Sequence, residues 1–313
     1  MRFALVLSPL DEERMALARQ IGVTDLVTTL PNGGPVWDFD AIVHHKQRIA
    51  DAGLTWSVVE SVPISDRITL GLDGRDEDID AYCQTVRNLG AAGIRIMCWN
   101  WMAVFNWMRT SFTTRGRGNA FVSSYDDALM EDAPPTKYGE VSETLLWETL
   151  EYFLERVIPV AEEAGVKQAL HPDDPPLSPV RGIGRIITSV DAFQRVVDMV
   201  PSDCNGITFC QGNFAAMGAD VPAAIRRFAD KIHFSHFRDV RGTVPSFEET
   251  FHDEGDTDMA ECIRAYRDIG FTGPIRPDHV PVLSGEDNDP PGYTLMGRLY
   301  AIGYMKGLVD GTV

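Results

Sequence analysis

The chain has 313 residues, 44% of them hydrophobic, enough to bury one large core or two small ones. Its 46 acidic against 28 basic residues leave a net charge of −18, which argues against nucleic acid or an anionic membrane as partner, because phosphates would be repelled. Only 5 of the basic residues are Lys and 23 are Arg, a balance that suits a salt-adapted cytoplasm or equally a GC-rich genome, which favours Arg over Lys. The five cysteines, Cys83, Cys98, Cys204, Cys210 and Cys262, are scattered and odd in number, which fits a reducing compartment rather than a disulfide framework. The opening MRFALVLSPLDEER turns to charge too soon for a secretory signal, and no stretch approaches the ~18 apolar residues of a membrane span. A soluble, cytoplasmic protein is expected.

In chain order, apolar and β-branched runs fall at 3–7, 25–29, 55–61, 94–99, 166–171, 206–210, 231–236 and 275–278. Helical periodicity fills 12–21, 39–52, 77–91, 142–164, 190–199, 221–229, 258–269 and 293–308. Asp11, Asp38, Ser189 and Asp220 stand where N-caps belong, and Gly22, Gly53, Gly93, Gly165 and Gly270 stop helices just before the next strand. Eight strand–helix pairs with no break in composition predict an α/β fold, a (β/α)8 TIM barrel spanning 1–313 as one domain. A doubly wound open sheet is disfavoured, since no glycine-rich phosphate loop follows an early strand. One segment, 109–138, is rich in Gly, Ser, Thr, Asp and Pro and lacks periodicity. Placed after the fourth strand, on the catalytic side of a barrel, it is expected to be a lid or an oligomer contact.

Four strand ends carry the chemistry. The strings ALHPDDPP, GITFCQGN, KIHFSHFRDV and PIRPDH set His171, Cys210, His236 and Asp278 at intervals of 39, 26 and 42 residues. A strand–helix unit takes about 30 or more residues, so successive strands can deliver these side chains to one end of the barrel. Two imidazoles, a thiolate and a carboxylate suit a divalent transition metal. His233 lies three residues before His236 and so points to the opposite face of the strand. Asp278, an acid after an apolar run, needs either Arg276 or a metal as partner. His279 beside it is a candidate acid or base. Arg238 could bind a substrate carboxylate as a fork. Glu60, ending the third strand, would face the same mouth, and Asp173 and Asn213 lie in the polar loops after two ligand strands.

These strings, together with PNGGPVW, GLTWSVVESVP, NWMAVFNWMRT, FHDEGDTDM and YTLMGRLYAIGYMKGL, resemble the mannonate dehydratase family, whose members are metal-dependent barrels of the xylose-isomerase type. The resemblance covers most of the chain. It implies ligation by His171, Cys210, His236 and Asp278 of one divalent ion, Mn2+ or Fe2+. It implies catalytic roles for His279 and Tyr293, and a sugar acid of hexuronate catabolism as substrate. Arg238, Asn213, Glu60, Asp173 and His252 are the residues expected to touch that substrate, and a homo-oligomer is expected. The fourth-strand segment departs from the family's usual NFMPVFDWTRT at Trp101, Ala103, Asn106 and Met108. The region after Arg109 looks shorter than usual, and the family's Trp/Tyr-Gly-Pro-Asp opening is missing. Dehydration of D-mannonate to 2-keto-3-deoxy-D-gluconate is the reaction expected. The alternatives are dehydration of another aldonate, a metal-dependent sugar isomerase or epimerase on the same barrel, and a non-catalytic sugar-acid sensor. A Cys ligand speaks against the isomerase, and the presence of His279 and Tyr293 speaks against the sensor.

Overall fold

The structure is a computed structural model that describes residues 1–312; Val313, the last residue of the expected barrel, lies outside the described residues. Twelve strands are formed among them: β1 Arg2–Leu5, β2 Asp25–Thr28, β3 Thr55–Glu60, β4 Ile96–Asn100, β5 Ser111–Arg115, β6 Phe121–Asp126, β7 Lys167–His171, β8 Asn205–Cys210, β9 Ile232–Phe237, β10 Val240–Thr243, β11 Ser246–Glu249 and β12 Pro274–Pro277. Eight of them, all parallel, close into a barrel in the order β1-β12-β9-β8-β7-β4-β3-β2. This is the (β/α)8 TIM barrel that the alternation predicts.

The barrel interior is layered, as the two-residue period of a strand requires. Ala4, Val27, Val58, Cys98, Ala169 and Phe234 form one apolar layer. Two residues further along their strands, on the same inner face, stand Glu60, Asn100, His171 and His236. The apolar layer thus forms the floor on which polar groups are set at the C-terminal mouth.

The helices follow from local chemistry. Asp11, Asp38, Ser189 and Asp220 each accept a backbone N–H from the first turn of the helix they precede. The helix Glu143–Ala164 buries Leu146, Leu150, Phe153, Leu154, Val157, Ile158 and Ala161 along one stripe, and Gly165 ends it at φ 63, a left-handed turn that suits a residue without Cβ. Complete burial of such side chains contributes roughly 1.5–3 kcal/mol each. Among the described residues no helix is long and apolar enough to cross a membrane.

Three local expectations need correction. The segment 109–138 is not irregular: β5 and β6 pair antiparallel within it, and with β10 and β11 they build a second, four-stranded sheet in the order β10-β11-β6-β5. The pattern is hidden because β5 has no buried residue, and because the second partner of β6, the strand β11, lies over a hundred residues away, with Phe247 opposite Tyr125. Tyr125, Phe247, Val240 and Ala216 pack as a small separate core under this sheet. Second, Cys210 leads directly into a short helix, Gln211–Ala216, so the polar Gln211 and Asn213 belong to a buried turn of helix rather than a loop. Third, the last helix begins at Leu295, after Thr294, which leaves Tyr293 in the preceding loop.

Candidate active site

His171 ends β7, Cys210 ends β8, His236 lies in β9, and Asp278 follows β12; register sets Cys210 and Arg276 on either side of His236. Each of the four expected ligands offers one donor atom, and these atoms lie within 4.8 Å of one another. The sequence expectation that four strand ends converge is therefore met in geometry. His171 Nδ1 lies 2.8 Å from the carbonyl oxygen of Pro172; as its donor it would leave Nε2 free to ligate. Both ring nitrogens of His236 are buried and make no aligned hydrogen bond, although Glu60 Oε1 and Asp278 Oδ2 stand 3.3 and 3.4 Å away. An orphaned buried imidazole amid carboxylates and a thiol is the environment a cation would complete.

The charges agree. Burial alone would push the Cys210 thiol up, but Arg238, 3.5 Å from the sulfur, and the His171 and His236 imidazoles beside it bring it down to about 5. Cys210 is thus a thiolate at neutral pH. Burial also opposes ionisation of Asp278, but Arg276 at 2.8 Å and the neighbouring His279 and His236 hold it well below the usual carboxylate range. The acid at 278 therefore has Arg276 as partner on one oxygen and keeps the other for the donor cluster. In the cluster, the carboxylates Glu60, Asp174, Glu249 and Asp278 and one thiolate face the guanidiniums Arg109, Arg238 and Arg276. With both ligand imidazoles neutral, as metal ligation requires, five negative against three positive groups leave two charges, which one divalent ion would balance.

His279 and Tyr293 adjoin this cluster and line the same cavity of about 100 Å3, with Glu60, Asn100, Asn106 and Trp107 among the other walls. That volume suits a small molecule and is far below the ~300–1,000 Å3 of drug-sized clefts. The Tyr293 hydroxyl donates to Asp278 Oδ1 at 3.3 Å, and His279 Nε2 lies 3.9 Å from the same oxygen. Trp107 packs on the His279 ring with centroids 4.8 Å apart. His279 itself sits at φ 43, an uncommon backbone conformation for a residue with a Cβ.

Of the residues expected to touch substrate, only Glu60 lines the cavity. The Arg238 fork is already occupied: its guanidinium is fully buried and bonded to both oxygens of Glu249, to Asp174 and to Asn213. Asn213 is held between Arg238 and the carbonyl of Asp173. The Asp173 carboxylate accepts the backbone N–H groups of Ile186 and Ile187 and pairs with Arg185. His252 is buried and stacked on Phe237, away from the cavity. Strand-end polarity did not distinguish lining residues from those supporting them one layer back. Conversely, Arg109, Asp174 and Glu249 went unnoticed. Glu249 had one faint signal, a two-residue spacing from Phe247, which puts both on the buried face of β11.

The family model for D-mannonate dehydratase (UxuA) matches residues 7–137 and 135–312. A mannonate dehydratase of Thermotoga maritima is 39% identical over 92% of this chain and 89% of its own length. Mannonate dehydratase 2 of Halalkalibacterium halodurans is 35% identical over 96% of both chains. The crystal structure of mannonate dehydratase from Streptococcus suis superposes with a TM-score of 0.94 at 33% identity, covering 100% of this chain and 95% of that one. A D-psicose 3-epimerase from Clostridium cellulolyticum, at TM-score 0.65 and 14% identity, shares the fold alone. Through match length, identity and structure alike, the chain belongs to the mannonate dehydratase family, a family of hydro-lyases.

Proposed function

We propose that this protein dehydrates D-mannonate to 2-keto-3-deoxy-D-gluconate and water with one bound divalent ion, Mn2+ or Fe2+. The observation that carries the reading is a donor group of two imidazoles, a thiolate and a carboxylate, with His279 and Tyr293 beside it in one small cavity. His171, Cys210, His236 and Asp278 would hold the ion, which when bound supplies Lewis-acid stabilisation of charge on the substrate carboxylate and hydroxyl oxygens.

The chain's own groups account for the rest. A C2 proton beside a carboxylate is weakly acidic, so one general base must take it while the C3–O bond breaks. The departing hydroxide leaves as water only if a general acid delivers a proton to it. His279 and Tyr293 flank Asp278 and are the two groups placed for these transfers. The C2–C3 enol that remains takes up a proton at C3 and ketonises. Glu60, itself gripped by Arg276, orients His236 from the side of Nε2. Arg238, Asn213 and Asp173 act as supports of the site rather than contacts to substrate. Trp107, just ahead of the inserted sheet, lines the cavity and packs edge-on against Phe112 of β5, and the exposed Leu129 of the same insert offers an apolar contact for a homo-oligomer. We place it in the cytoplasm, a setting that five free, scattered cysteines fit. The test is to incubate anaerobically purified, Mn2+-loaded protein with a panel of hexonates and assay 2-keto-3-deoxy acids. Formation from mannonate above all others supports the reading, and no formation from any hexonate overturns it.

A further inference from the structure

Building on the dehydratase reading, we infer that Glu249 is the positioning residue of the catalytic imidazole: it fixes a proton on His279 Nδ1 and leaves Nε2 as the atom that exchanges a proton with substrate. Glu249 ends β11 in the second, four-stranded sheet, outside the barrel strands. Its Oε1 lies 3.0 Å from His279 Nδ1, and Arg109 Nη2 lies 3.1 Å from the same nitrogen. A neutral imidazole has one N–H, so Nδ1 either donates to Glu249 or accepts from Arg109.

Counting hydrogens decides between them. Arg109 Nη1 sends its two to Asp174 Oδ1 at 2.6 Å and to the Met108 carbonyl at 2.8 Å. Nη2 sends its two to Asp174 Oδ2 at 2.9 Å and to Glu249 Oε1 at 2.6 Å. No hydrogen of either nitrogen remains for His279. With Nδ1 bare, its lone pair would face a carboxylate oxygen at hydrogen-bond distance in a buried site, an unmade bond with repulsion added. With Nδ1 protonated, it donates to Glu249 Oε1 while the Arg109 Nη hydrogens keep the acceptors named above. Arg238 grips both oxygens of Glu249, at 2.5 and 2.8 Å, so the acceptor is itself held rigidly.

The consequence lies at the other end of the ring. Nε2, on the side of Asp278, carries the lone pair when His279 is neutral. Glu249 thereby holds the ring in one tautomer and orientation, as an acid behind a catalytic histidine does elsewhere. The inserted sheet is then part of the catalytic machinery, through a carboxylate that never touches substrate.

The tautomer can be read without turnover. Long-range 1H–15N correlation spectra of [15N]histidine-labelled, Zn2+-loaded protein are recorded well above the ordinary imidazole pKa of about 6.5. His279 is assigned by loss of its signals in His279→Gln. A protonated Nδ1 with a bare or metal-side Nε2 is expected. An Nε2–H tautomer overturns the inference whether or not the chain dehydrates mannonate. In the kinetic arm, Glu249→Gln removes the charge with little change of shape and is expected to lower kcat by roughly 10–100-fold, with KM nearly unchanged. Glu249→Asp, which keeps the charge, should recover part of that loss. Full kcat in a folded Glu249→Gln protein overturns the inference; should that variant not fold, the wild-type spectrum decides.

Discussion

The hydroxyl of Tyr293 donates to Asp278 Oδ1 across 3.3 Å, so a candidate proton carrier is tethered to a candidate metal ligand. Burial, with the Asp278 charge second, raises the phenol well above its ordinary value, so Tyr293 keeps its proton in this geometry. Arg276 and then Arg298, whose guanidinium lies 5.3 Å from the Tyr293 ring, pull the other way.

Substitution at these two positions separates chemistry from metal binding. Tyr293→Phe and His279→Asn are each expected to keep fold and bound metal while losing turnover by the ~10²–10⁴-fold ascribed to one general acid or base. Circular dichroism and metal analysis report on the first two properties, and a keto-acid assay on the third. Near-normal turnover in either variant removes that residue from the mechanism.

Cys210 tests the donor group. As a thiolate pressed between His171 and His236, it cannot be replaced by a neutral methyl without leaving the remaining donors short of a ligand and of charge. Cys210→Ala is expected to weaken metal binding beyond the ~10–100-fold typical of an outer-shell partner. Titration of Mn2+ into chelator-treated protein measures it, and unchanged affinity would show that the four donors do not act together.

Glu60 tests how His236 is held. Its two oxygens pair with Arg276 at 2.8 and 3.1 Å while Oε1 faces His236 Nε2. Glu60→Gln keeps the volume and removes the charge, and is expected to cost roughly 10–100-fold in metal affinity or turnover. If only KM for substrate rises, Glu60 is a substrate contact and the orienting role is wrong.

Much of this was legible in the sequence because it is local. The eight barrel strands and their helices follow from periodicity and caps, and His171, Cys210, His236 and Asp278 stand out because each interrupts an apolar strand end. What was not legible is assembled from distant pieces. Arg109 and Glu249 lie 140 residues apart in the chain and meet at 2.6 Å only once the inserted sheet has formed. Arg238 carried the right charge beside the right ligand, but nothing local indicates that Glu249 and Asp174 already occupy it. Periodicity tells whether a side chain is inside; it does not tell which buried polar group faces a cavity and which stands behind another.

Asp239 gives a stability prediction independent of the chemistry. Its side chain is 1% exposed, accepts the backbone N–H groups of Val240 and Thr257, and has no cation against it. Gly255 packs so closely that a Cβ there would come within 2.3 Å of the carboxyl carbon, so the group has no room to swing out to solvent. Burial raises its pKa from 3.8 to about 7, against the opposing pull of the Thr257 and Val240 hydrogen bonds. Because the folded value is raised, the folded chain keeps a proton that the unfolded chain has lost. The contribution is therefore fully present below about pH 4 and is lost as pH rises through about 7. Asp239→Asn can accept the same N–H groups and is neutral at every pH, so it escapes that loss. Relative to wild type it is expected to gain on the order of 3 kcal/mol between about pH 5 and pH 8, with titrations common to both proteins cancelling. Denaturant midpoints of the metal-loaded proteins at the two pH values measure the difference, and parallel pH curves for the two proteins would show that Asp239 is already ionised in the folded state.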